Sequence, residues 1–104
     1  MNEDDFKNTQ RLLEEQGFLI SEARFHGEAF GSWYIYCDTL PRFGIIWDGK
    51  DRWIYVRRET QRIFAGMHEW DDLWVGRQPI EQTPAAAVDK LREFADKSTP
   101  LSPS

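Results

Sequence analysis

Residues 31–58, GSWYIYCDTLPRFGIIWDGKDRWIYVRR, constrain the fold more than any other part of the chain. They hold β-like runs over 32–38, 43–47 and 52–58, rich in the branched and aromatic side chains that suit a pleated, half-buried surface. Between the second and third runs stands Asp48-Gly49, a strong hairpin signal because glycine tolerates the positive φ of tight turns. Pro41 separates the first run from the second, since proline cannot donate to a ladder. With Gly49 and Lys50 as the turn, Trp47 faces Arg52, Ile46 faces Trp53, Ile45 faces Ile54 and Phe43 faces Val56, and opposite residues share a sheet face. One face then carries Phe43, Ile45, Ile54 and Val56 with Trp47 at its edge, as a core would. The other carries Ile46, Trp53, Tyr55 and Arg57, a half-exposed surface. In 32–38 the same alternation separates Trp33, Ile35 and Cys37 from Tyr34, Tyr36 and Asp38, and the tyrosines are placed beside Trp53 and Tyr55. A loop one residue longer would exchange the two faces.

The flanks supply helices. Asn2 or Asp4 can cap a helix over 3–16 whose first turn holds Glu3, Asp4 and Asp5, favourable at the positive end of the helix dipole, with Gly17 as its stop. Its apolar stripe is Phe6, Thr9, Leu12, Leu13 and Gln16. FLISEARF at 18–25 alternates as a first strand, and HGEAFG turns the chain back. Residues 60–82 have no clean period: 63–67 suit a short strand, and the four-residue spacing of Trp70 and Trp74 predicts one helical turn through Asp71, Asp72 and Leu73. That turn would put both rings on one side, plugging an end of the core. Thr83-Pro84 starts a second helix over 84–97, with Val88, Leu91, Phe94 and Ala95 at helical spacing. The tail 98–104, STPLSPS, has little to bury and is expected to be disordered. The expected architecture is α+β and two-layered: an N-terminal helix, a four-stranded antiparallel meander, a short irregular element and a C-terminal helix, as a single domain over 1–97.

Several function classes lack their residues. Cys37 is the sole cysteine, so no intramolecular disulfide is available, and a cytoplasmic location is expected. The N-terminus is acidic where an export signal would be basic, and no apolar run nears the ~18–20 residues that cross a bilayer. His26-Gly27-Glu28 shares the histidine and glutamate of zinc deaminases but not their paired cysteines, and His68 with Glu69, Asp71 and Asp72 matches no metal loop. There is no nucleophile elbow, no Cys-His signature and no phosphate-cradling loop. No enzyme activity, metal or cofactor is expected.

What remains is binding. The chain is 14% aromatic with five tryptophans, more aromatic surface than a small core needs. Its net charge is −5, yet residues 50–62 carry five bases against two acids. Interface hot spots are enriched in Trp, Tyr and Arg, so Tyr34, Tyr36, Trp53, Tyr55 and Arg57 are the candidate contact residues. Asp71 and Asp72 would form an acidic rim that steers a basic protein partner. The competing expectation is a nucleic-acid-binding strand, with Lys50, Arg52, Arg57, Arg58 and Arg62 interleaved with Trp53 and Tyr55. Against it, the overall acidity opposes counterion release from phosphates, and strand arginines commonly pair with neighbouring acids and protect a sheet edge. No membrane partner is expected, and the oligomeric state stays open, a homo-oligomer included.

The order helix, meander with GSWYIYCD and GIIWDGKDRWIYV, Trp-Asp-Asp-Leu segment and closing helix covers residues 3–97. In this it resembles the small cytosolic immunity proteins that bacteria make against their own polymorphic or contact-dependent toxins. The resemblance implies an inhibitor that binds a toxin domain, often a nuclease, tightly and directly; it carries over no site residue.

Overall fold

The computed structural model describes residues 1–60 and 69–97. Helix α1 (Glu3–Glu15) starts on Asn2, whose side chain accepts from the Asp5 amide at 3.0 Å while the Asp5 carboxylate accepts from the Asn2 amide at 3.0 Å. Two otherwise unpartnered amides are thereby satisfied reciprocally. Helix α2 (Pro84–Lys97) starts on Thr83, whose hydroxyl accepts from the Ala86 amide at 3.1 Å. Neither helix is long and apolar enough to cross a membrane.

Between the helices runs an antiparallel sheet in sequence order: β1 (Ile20–His26), β2 (Ser32–Cys37), β3 (Phe43–Asp48), β4 (Trp53–Thr60) and β5 (Glu69–Gly76). A 3-10 turn over Pro79–Glu81 leads to α2. The architecture is α+β as expected, with five strands among the described residues where four were expected. The expected strand over 63–67 and the disordered tail lie outside the described residues.

The helical turn expected from the Trp70–Trp74 spacing is replaced by β5. Its pairing with β4 sets Val56 opposite Trp74 but Arg57 opposite Asp72, so Leu73 is an extra residue, a bulge. Cross-strand partners explain the preference for strand: Arg57 bonds Asp72 at 2.5 Å and Arg58 lies 3.6 Å from Asp71. The bulge also undoes the shared side predicted for the two tryptophans. Trp74 stands on the face of Val56, packed against the core, while Trp70 pairs with Glu59 on the opposite face.

The Asp48-Gly49 hairpin forms, with a register two residues from the expected one: Trp47 pairs with Ile54, Ile46 with Tyr55 and Ile45 with Val56. The cause is Asp48, whose carboxylate accepts from the amides of Lys50 and Asp51 at 3.0 and 3.2 Å while its carbonyl accepts from Arg52 at 2.7 Å. These bonds enclose a four-residue loop, 49–52, instead of a two-residue one. A shift of two preserves the side-chain parity, so both faces carry the residues assigned to them. In β1 the register slips between Ile20 and Glu22, which brings Ile20 onto the inner side with Ala23 and Phe25, where unbroken alternation would set it opposite them.

Both helices lie on one face. Phe6, Thr9 and Leu13 of α1 and Ala87, Val88 and Leu91 of α2 meet Trp33, Ile35, Cys37, Phe43, Ile45, Trp47, Ile54 and Val56, all buried. Thr9 is tolerated there because its hydroxyl donates to the Asp5 carbonyl at 2.6 Å. The Trp33 indole N–H, by contrast, is buried with no hydrogen-bond partner among the described residues. Ile45 has no exposed surface and sits on the central strand under α2. Ile45→Ala is expected to cost about 2–5 kcal/mol, read as a lower urea midpoint at unchanged slope.

Candidate functional site

Alternation sends every second strand residue to the face that carries no helix. From β1 to β5 these are Glu22, Arg24 and His26; Ser32, Tyr34 and Tyr36; Gly44, Ile46 and Asp48; Trp53, Tyr55, Arg57 and Glu59; and Val75, Asp72 and Trp70. Tyr34, Tyr36, Trp53, Tyr55 and Arg57 thus stand together on one face, each half-buried by its neighbours and none covered by a helix.

Their packing has two centres. One is a ring series crossing the sheet: His26 to Tyr34 at 5.8 Å, Tyr34 to Tyr36 at 5.1 Å, and Tyr36 stacked on Trp70 at 4.7 Å with 30° between planes. Tyr36 and Trp70 belong to β2 and β5, so a ring must lie across the strands between them. Gly44 makes that crossing possible. It pairs with Tyr36, and a Cβ at that position would overlap the Tyr36 ring. The second centre is Trp53 edge-on to Tyr55 at 6.4 Å. Half-buried Ile46, opposite both Tyr34 and Tyr55, bridges the two.

Guanidinium groups line these rings. Arg42 lies 5.5 Å from the Tyr36 centroid and 5.3 Å from that of Trp70, Arg57 lies 5.2 Å from Tyr55, and Arg77 lies 4.5 Å from Trp53. Two of the three are also held by carboxylates, Arg42 by Glu59 at 3.1 Å and Arg57 by Asp72. A cation fixed by both an acid and a ring face keeps the platform rigid and keeps its own charge cancelled.

Those ion pairs revise the expected electrostatics. Asp71 and Asp72 do not form an acidic rim: they are cross-strand partners of Arg58 and Arg57, on opposite faces of β5. Arg57 and Arg58, central to the nucleic-acid expectation, have their charge balanced by the same two acids; Arg62 and His68 lie outside the described residues. His26 bonds Glu28 at 3.1 Å, and among the described residues no group of three His, Cys, Asp or Glu side chains could hold a metal. Sequence reasoning missed Trp70 and Arg42, whose places depend on the β5 bulge and on Gly44; only the glycine inside a β-like run signalled a close approach.

Comparison with protein-family models, curated proteins and solved structures finds no match for this chain.

Two predictions follow from this geometry. Gly44→Ala pushes Tyr36 off Trp70 and is expected to cost about 1–3 kcal/mol, with a change in near-UV circular dichroism from the disrupted stack. The second concerns alkali. Burial pushes the Cys37 thiol up from 9.0 to about 12. Burial also raises the Tyr36 and Tyr55 phenols above 10.0, and Tyr34 is raised by its hydrogen bond to Glu22. All four acids keep their protons in the folded chain at pH values where the unfolded chain loses them. Their stabilisation is therefore complete below about pH 9 and is lost as pH rises towards 12. Urea midpoints measured from pH 8 to 11 should be flat at first and then fall, and the fall should be smaller in Cys37→Ala.

Proposed function

We propose that this chain is a small binding protein that docks a protein partner on its helix-free sheet face, and that its most specific form is a cytoplasmic immunity protein neutralising a toxin. One observation carries the reading: five aromatic rings, Tyr34, Tyr36, Trp53, Tyr55 and Trp70, and Arg57 are held half-buried on a single face that neither helix covers. Such residues supply large contact area at low entropic cost, and here their rotamers are fixed in advance by ring and ion contacts.

The sheet edges favour docking on the face over strand addition. Both edge strands, β1 and β5, carry a bulge, and both carry charged residues there: Glu22 and Arg24 on one, Asp71 and Asp72 on the other. Bulges and charges are the usual devices that stop a further strand from pairing. The nucleic-acid alternative is the weaker one, because Arg57 and Arg58 already answer carboxylates and the chain carries −5.

The test is co-purification of the tagged chain from its host, followed by titration of the recovered partner. Tyr55→Ala should weaken that complex by about 2 kcal/mol, roughly thirtyfold in Kd, with the fold retained. A chain recovered only as monomer at low micromolar concentration, or a complex indifferent to Tyr55, Tyr36 and Trp53, rules the reading out. Rescue of growth when the partner is co-expressed with wild type, but not with Tyr55→Ala, would single out toxin neutralisation.

A further inference from the structure

The helix-free face differs from the chain that carries it in one respect: it has no net charge. Four acids stand on it, Glu22, Asp48, Glu59 and Asp72, and four bases lie on or across it, Arg24, Arg42, Arg57 and Arg77. The turns and strand ends around it add Glu28, Asp38 and Asp51 against Lys50 and Arg52, again close to balance. Much of the −5 is carried elsewhere: α1 alone has Glu3, Asp4, Asp5, Glu14 and Glu15 against Lys7 and Arg11. Long-range charge therefore draws a basic protein towards α1, on the far side of the sheet, and leaves the aromatic face to a surface that is itself neutral.

The pattern across the face also repeats under a half-turn. Its middle row reads Arg24, Tyr34, Ile46, Tyr55 and Val75 from β1 to β5. A two-fold axis along β3 through Ile46 lays Tyr34 against Tyr55 of a second copy, Tyr55 against its Tyr34, and Ile46 against its Ile46. In the next row Tyr36 comes across from Arg57 of the second copy, with the two Gly44 residues on the axis between them. The like charges that this axis brings together are each answered within their own chain. Glu22 accepts from the Tyr34 hydroxyl at 2.9 Å, Asp72 holds Arg57, and Asp48 accepts the amides of its own loop.

Size and edges agree with this. Five strands about 4.8 Å apart, with outward rows spanning roughly 20 Å, make a footprint of about 500 Å² per copy before side-chain relief. Two such footprints, about 1,000 Å² together, stand at the small end of specific interfaces, so the contact is reversible. The bulged, charged edges of β1 and β5 leave the face as the route by which two copies meet.

We infer that the helix-free face closes on a second copy of this chain, sheet on sheet about a two-fold axis through Ile46, as a four-layer dimer with the helices outside. This rests on the reading of the face as a docking surface and names what occupies it when no other protein does. With about 10 Å between facing sheets and about 10 Å from each sheet to its helix, the two α1 helices lie roughly 30 Å apart. That is several Debye lengths of about 8 Å, so the acids of α1 do not oppose the contact. A protein that takes the face displaces the second copy, and its complex holds one copy of this chain.

The purified chain alone provides the test, by sedimentation equilibrium from about 5 to 500 µM. The expected result is a monomer–dimer equilibrium with Kd on the order of 10–100 µM. Its Kd should change less than about threefold between low and high salt, because the face is neutral. On isotope-labelled protein, dilution should shift amides at 33–36, 44–47 and 53–57 and leave those of α1 in place. Ile46→Lys, which sets two lysines on the axis, and Tyr55→Ala should each raise Kd roughly tenfold or more, with circular dichroism unchanged. Glu14→Lys, on the exposed side of α1, should leave it within about twofold. A chain monomeric at the highest concentration, a steeply salt-dependent dimer, a dimer that both face variants leave intact, or dilution shifts confined to the helices or edge strands would each overturn the inference. If no dimer forms and the complex recovered from the host is nonetheless lost in Tyr55→Ala, the face takes another protein and the second copy alone is excluded. A dimer lost in Ile46→Lys beside a host complex indifferent to Tyr55 keeps the dimer and removes the other protein from this face.

Discussion

The period-two alternation of a strand sends a residue to each face in turn, and here it meets only one covering layer. Once α1 and α2 have buried Trp33, Ile35, Ile45, Trp47, Ile54 and Val56, the residues between them must stand on the other side, whatever their chemistry. An ordinary two-layer domain fills those positions with short polar side chains. This chain fills them with Tyr34, Tyr36, Ile46, Trp53 and Tyr55, and then supplies arginines to lie against the rings. The cost of leaving so much aromatic surface near water is reduced by ring packing across the sheet, and Gly44 is the residue that permits it.

The two bulges act on the same problem from the sides. At β1 the slip between Ile20 and Glu22 turns Ile20 inward; at β5 the extra Leu73 divides Trp70 from Trp74. Without the second bulge Trp70, Asp72 and Trp74 would share a face, and the sheet would lose either its core contact at Trp74 or the Tyr36–Trp70 stack. One inserted residue thus serves the packing layer and the open layer together, while distorting an edge that could otherwise pair with another chain.

Much of this was legible in the sequence because it depends on local parity. The helices at 3–16 and 84–97, the three β-like runs and the split between Ile45, Ile54, Val56 and Tyr34, Tyr36, Trp53, Tyr55 follow from spacing and caps, and a register error of two left the split intact. The five-strand count, the place of Trp70 and the pairing of Asp71 and Asp72 were not legible. They depend on a bulge, and a bulge has no period: Trp-x-x-x-Trp fits one helical turn as well as it fits an interrupted strand. Arg57 and Arg58 illustrate the same limit, since a basic strand reads as a phosphate contact until its neighbouring strand is known to carry two acids.

Charge and shape then separate into different jobs. Long-range attraction depends on the whole chain, whose −5 includes the acids of α1 on the far side of the sheet from the aromatic face. Close contact depends on groups that neither water nor an internal partner has satisfied. On the open face Glu59 answers Arg42 and Asp72 answers Arg57, so the middle of the face offers area without charge preference. Area of this kind favours tight but unselective contact, and selectivity must come from a feature that a wrong partner would leave unmet.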